Sequence, residues 1–199
     1  MLIAVVILLA GVLTGWAGRG RLRRLAEVRV RLWPLAFAAL ALQEAPIPRG
    51  AGLARYLPVA ALLLSYALLL WVCVANLRLR GFRLVALGFA LNLLPIAANA
   101  GMPVSAAALR AAGHAEDIAV LREREPGEKH HLATSEDVLR PLGDVIPVPE
   151  PVGAVVSVGD LIAWGGVAWF VSEAMAGRTE RTERPGRRRR RATTSGTPR

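Results

Sequence analysis

The stretch LARYLPVAALLLSYALLLWVCVAN, residues 53–76, is apolar from Leu57 onward except for Ser65, Tyr66 and the terminal Asn76. A hydrocarbon layer about 30 Å thick needs roughly 20 such residues in a helix, and a chain inside it must satisfy its own backbone, which continuous apolar helices do. Soluble cores instead alternate apolar with polar residues every few positions. The neighbours read the same way: Leu2 to Ala17, Leu32 to Ile47, Phe82 to Ala100 and a last run from Val152 or Val158 to Ala176. The second is the shortest and carries Gln43 and Glu44 near its end. The fold class expected is therefore all-α, a polytopic transmembrane helix bundle of about five spans. It has a folded extracytoplasmic loop, residues 101–151, before the last span.

Orientation follows from charge. Only Met1 and Leu2 precede the first apolar run, whereas Arg19, Arg21, Arg23, Arg24, Arg29 and Arg31 follow it. A secretory signal has the opposite order, and a basic stop keeps that end of a helix in the cytoplasm. Carried forward, Arg49 lies outside, Arg78, Arg80 and Arg83 inside, residues 101–150 outside, and the end of the chain inside. The fifty-residue outer segment holds five basic and nine acidic residues, while the three inner segments hold six, three and nine basic ones. An N-out, C-in, five-span protein of the cell membrane satisfies the positive-inside rule at each loop.

The net charge of +10 comes from loops beside membrane helices, where it matches anionic lipid headgroups, so nucleic acid is not an expected partner. Of the 25 basic residues only Lys129 is a lysine, a skew that reads as compositional bias. Cys73 is the single cysteine, which excludes an intramolecular disulfide. The membrane domain is placed at 1–176. The tail at 177–199, with five consecutive arginines from Arg187 to Arg191, cannot bury apolar surface and is expected to be disordered on the inner leaflet. Nucleic-acid binding, or a kinase acting on Thr193, Thr194 or Ser195, is the sharper alternative for it.

In the outer segment, Ser105 caps an expected helix Ala106 to Ala112 that Gly113 ends. His114 to Lys129, a charged stretch, reads as irregular or as a loose amphipathic turn. Thr134 with Asp137 is expected to open a second short helix ending near Gly143. Pro147, Pro149 and Pro151 force an extended path. The expectation is a compact loop without a core of its own, folded back on the helix ends.

Polar residues within spans carry the functional signal, because lipid penalises them. They are Gln43 and Glu44 in the second span and Asn92 and Asn99 in the fourth. Asn92 and Asn99 are seven apart and so share a helix face. Interhelical hydrogen bonding competes there with a solute or ion path. A faint 49-residue repeat aligns Ala41–Ile47 with Ala90–Ile96, suggesting two like hairpins plus a fifth helix. Asp160 has two readings. From a start at Val152 it lies about 12 Å into the helix; from a start after Ser157 it completes a capping box at the helix mouth. Three prolines and Gly153 upstream favour the later start.

The strings Asn99-Ala100-Gly101-Met102-Pro103-Val104-Ser105, a His in the loop (His130 or His131), Leu142-Gly143-Asp144-Val145-Ile146-Pro147 and Ser157-Val158-Gly159-Asp160-Leu161, in that order, resemble a family of small bacterial multi-span proteins known as a domain of unknown function. The resemblance runs to about residue 176 and implies an outer loop packed on the helix bundle. It supplies no activity or cofactor. His130, His131, Asp144 and Asp160 offer metal-ligand and acid/base chemistry, but their spacing fits no metal signature; no catalytic residue, metal or cofactor is assigned. Anchoring of the loop by Asp144 and Asp160 is the main expectation for those acids. The sequence thus leads to a structural or interaction role in the cell envelope, with an envelope protein or a second copy as partner. A small-solute or ion carrier using Gln43, Glu44, Asn92 and Asn99 is the alternative, and a membrane enzyme a weaker one.

Overall fold

The computed structural model describes residues 2–47, 51–124 and 127–178, with the side chains of Leu2 and Ala4 excepted. Arg49 and the tail from residue 179 onward lie outside the described residues. The chain is mostly helical: α1 (Leu2–Ala17), α2 (Trp33–Glu44), α3 (Leu57–Ala75), α4 (Phe82–Asn99), α5 (Ala106–Ala112), α6 (Asp117–Arg122) and α7 (Val158–Ala176). Four short strands, β1 (Met102–Val104), β2 (His130–Leu132), β3 (Ile146–Val148) and β4 (Ala154–Val156), complete it. Two helices, Gly52–Ala75 with its leading turn and Phe82–Asn99, are long and apolar enough to cross a membrane, and Val5–Ala17 is a shorter apolar helix.

Pro34 and Pro58 sit in the first turns of α2 and α3, where a missing N–H costs nothing and a fixed φ helps. The long helices pack in the order α2, α3, α4, α7, α1. Small residues let α7 approach both of its neighbours. A methyl group on Gly88 or on Gly159 would collide with the other helix, Gly88 against the carbonyl of Gly159 and Gly159 against Asn92. Gly11 and Gly15 of α1 face Ala168 and Met175. Without a β-carbon at these positions the two backbones come into direct contact.

The polarity of the helix surfaces is inverted. Ser65, Asn76, Asn92 and Glu173 are buried, while Leu9, Phe37, Leu64, Leu94 and Leu161, one on each long helix, are exposed. Trp16, Trp33, Trp71 and Trp169 are 73, 59, 64 and 45 % exposed, and all lie toward one end of their helices. That end also carries Arg19 to Arg31, Arg78 to Arg83 and Arg178. There Arg24 donates to the carbonyl of Ala176 at 3.0 Å, and Glu173 accepts from Arg80 at 2.7 Å and from Arg178 at 3.2 Å.

At the opposite end, residues 102–157 form a cap. β1 pairs in parallel with β2, Met102 opposite His130, and a bridge joins Val104 to Asp144. β3 and β4 form an antiparallel pair, Ile146 opposite Val156. Val104, Leu109, Ile118 and Leu121 make a small buried cluster, so the loop does have its own core, contrary to expectation. Ser105 caps α5 by accepting from the Ala108 N–H at 3.3 Å, and Gly113 ends it at φ 91°. Of the two readings of His114 to Lys129, the amphipathic turn is the nearer: residues 117–122 form α6, with Ile118 and Leu121 burying one side of it. The helix expected to open at Thr134 does not form. Asp137 accepts from the Thr134 N–H at 2.7 Å, one arm of a box, but the Thr134 hydroxyl accepts from the Glu136 N–H, and only a 3-10 turn at Arg140–Leu142 follows; the other Asp137 oxygen meets His131 at 2.9 Å.

Candidate functional site

α7 does not start at Val152, because Ala154–Val156 is drawn into β4; it starts at Val158, behind a complete capping box. The Ser157 hydroxyl accepts from the Asp160 N–H at 2.9 Å, and the Asp160 carboxylate accepts from the Ser157 N–H at 3.0 Å. The capping reading of Asp160 holds, and the reading from a start at Val152 does not. The cap lies beside Gly88 and Asn92, so the first turn of α7 sits level with the middle of α4. There the amide nitrogen of Asn92 donates to Asp160 at 2.7 Å, and its oxygen accepts from the Ser157 hydroxyl at 2.7 Å. Asn92 also reaches the Tyr66 hydroxyl at 3.4 Å.

Above this network is a cavity of about 300 Å³. Gln43 and Glu44 from α2, Tyr66 from α3, Asn92 from α4, Asp160 and Trp164 from α7, and Lys129, His130 and Asp144 from the cap all border it. Lys129 lashes the cap to α2, its ammonium donating to the carbonyls of Gln43 and, at 3.1 Å, Ala45. A cation at the C-terminal carbonyls of a helix also meets the negative end of its dipole. The side-chain nitrogen of Gln43 is buried without a hydrogen-bond partner among the described residues, an orphaned donor that costs about 1–3 kcal/mol if nothing accepts from it.

His130 and Asp144 stand 3.9 Å apart and border a second recess as well, of about 390 Å³, on the far side toward His114 and Arg124. With Ala154 and Val155, which line both, they stand between the two spaces. Burial pushes the Asp144 carboxyl up to about 8, helped by the negative charge of Asp160. Burial, then Arg124 and Lys129, hold the His130 imidazole below the ordinary histidine range. Burial thus favours the protonated form of the acid and the neutral form of the imidazole.

A family model described as a family of unknown function, DUF5317, matches residues 27–172. The chain belongs to the DUF5317 family. No curated protein and no solved structure matches it. Within DUF5317 terms, the matched stretch contains each cavity residue named above; Ile3 of α1, which also borders the cavity, lies before it.

Of the residues marked in the sequence, Gln43, Glu44, Asn92, Met102, His130, Asp144 and Asp160 come together at the cavity, and Ser157 lies directly beneath it. Four do not. Asn99 holds the cap by a reciprocal pair with Val138, both at 2.9 Å. Pro103 is buried in β1, where its carbonyl accepts from the Asp144 N–H. Ser105 is the α5 cap, and His131 is bound to Asp137. Tyr66, Lys129 and Trp164 were missed. Two of them carried a signal: Tyr66 is one of two polar residues in α3, and Lys129 is the one lysine among 25 basic residues. Among the described residues no three His, Cys, Asp or Glu are grouped to hold a metal.

Proposed function

We propose that this DUF5317 member is a five-span, N-out and C-in protein of the cell membrane that binds a small polar solute in the capped cavity. The inverted helix surfaces support the membrane reading, since large apolar side chains are exposed on all five long helices while amides are buried between them. The tryptophans at the arginine-bearing end form a belt of the kind found at membrane interfaces, and that end collects the basic residues of a cytoplasmic face. On this reading the membrane domain is 1–176, with 102–157 as its external cap.

The observation that carries solute binding is the convergence of Gln43, Glu44, Tyr66, Asn92, His130, Asp144 and Asp160, from five separate elements, on one 300 Å³ space. A concave site with a few convergent polar groups in an apolar frame is the usual form of a small-molecule pocket. An orphaned donor at Gln43 and the carboxylates of Glu44 and Asp160 call for a solute with both acceptors and donors, such as a small zwitterion. A thermal-shift screen of the purified protein with zwitterions, primary amines and polyols tests this. The expected result is stabilisation by at least one class that Gln43→Leu and Tyr66→Phe abolish; no shift with any class rejects it.

A structural or interaction role is the second reading. It is favoured by the bonds of Asn99 to Val138 and of Lys129 to α2, which fix the cap as a rigid outer face. Cap variants that bind no solute yet lose an envelope partner or a second copy would support it.

A further inference from the structure

At the arginine-bearing end, the turn between α3 and α4 and the segment entering α2 enclose a recess of about 470 Å³. Arg29, Arg31 and Arg78 border it, and among the described residues no acid does. Its frame is fixed by Asn76, which is 3 % exposed. The Asn76 side chain accepts from the Arg31 N–H at 2.8 Å and donates to the carbonyls of Arg31 at 2.8 Å and Val72 at 2.7 Å. These bonds tie the two basic segments together and set Arg31 beside Arg78.

Among the described residues, the acids of this end are already taken. Glu27 pairs with Arg23, and Glu173 with Arg80 and Arg178. Arg29, Arg31 and Arg78 are exposed and have no acid partner among the described residues. Val74, whose apolar side chain is 60 % exposed, borders the same recess, and the exposed Trp71 lies one helical turn before it. The site therefore joins a triple positive charge to an apolar flank at the level where acyl chains meet headgroups.

We propose that Arg29, Arg31 and Arg78 form a binding site for a phosphate group, presented by an anionic lipid whose chains lie along Val74 and Trp71. Guanidinium forks match the geometry of phosphate oxygens, and several together favour a dianionic monoester over a zwitterionic headgroup. The proposal needs the membrane reading but not the solute cavity, and it fails separately from both.

The test uses the whole chain in detergent micelles doped with phosphatidic acid or phosphatidylcholine, with retained lipid counted by native mass spectrometry. Phosphatidic acid is expected to be retained at least about tenfold more strongly than phosphatidylcholine, with the preference lost in R29Q/R31Q/R78Q. A control triple, R19Q/R21Q/R83Q, removes the same charge from the same end away from the recess, and is expected to keep the preference. Equal loss in the two triples at unchanged thermal stability would reduce the effect to diffuse charge and overturn the site, as would no preference in the parent. Millimolar inorganic phosphate separates the sources. Competition would show that the recess takes the phosphate group itself, and lack of competition that it takes the group only as part of a lipid.

Discussion

Asn92 of α4 holds both members of the Ser157–Asp160 cap at once, donating to Asp160 and accepting from Ser157, each at 2.7 Å. One amide thus joins the middle of one helix to the start of another. Removing it leaves a carboxylate and a hydroxyl short of partners in a site where Asn92 is 1 % exposed and Ser157 fully buried. Asn92→Leu is expected to destabilise the protein by about 2–4 kcal/mol, and Asp160→Asn by less, because Asn still accepts from the Ser157 N–H. Unfolding in mixed detergent measures both; a neutral Asn92→Leu would mean that the bonds are not formed.

The approach of α4 to α7 at Gly88 and Gly159 leaves no room for a β-carbon on either. Gly159→Ala is expected to cost more than about 2 kcal/mol through overpacking. Gly165→Ala, on the same helix but with open space around it, should be neutral or stabilising by about 0.5–1 kcal/mol, the ordinary gain in helix propensity. The same unfolding assay compares them, and equal effects would refute the packing.

Asp144 gives a pH dependence. Its folded pKa, about 8, lies above the unfolded value of about 3.9, so the folded state holds the proton longer. Its contribution is complete below pH 4, declines as pH rises, and is gone above about 8. His130 acts oppositely: its lowered pKa makes stability rise as pH climbs toward about 6.5. Between about 6.5 and 8 the Asp144 effect stands alone. Asp144→Asn, which keeps the neutral shape, should therefore lie closest to the parent near pH 4 and melt higher than it by a margin that grows up to about pH 8. Parallel melting curves from pH 5 to 9 would contradict this.

Topology is open to direct reading. A reporter fused after Arg199 is expected to be cytoplasmic, and one inserted at Ala115, in the turn between α5 and α6, external. The reverse at either point would end the five-span proposal.

The helices were legible because their signal is local: an apolar run is the same run wherever it packs, and α1, α3 and α4 begin and end within a few residues of the expected limits. The start of α7 was legible too, since Ser157 and Asp160 are three apart. The strands were not. β1 and β2 are separated by α5 and α6, and their pairing of Met102 with His130 leaves no periodicity in a three-residue piece. Asn92 and Asn99 share a helical face, yet only Asn92 meets the cavity, because α7 starts halfway along α4 and the cap takes over the space beyond. That stagger is a tertiary fact with no mark in either helix.

The ammonium of Lys129, spent on the carbonyl end of α2, has a practical side. With one lysine and one cysteine in 199 residues, the chain offers a single side-chain amine where the cap is tied to α2 and a single thiol, that of Cys73, buried in α3. An amine-reactive label acts as a latch sensor: slow while the cap is seated on α2, fast once it lifts. A thiol label reports when the helices themselves come apart. The two rates, measured on unmodified protein, separate opening of the lid from loss of the bundle without a single substitution.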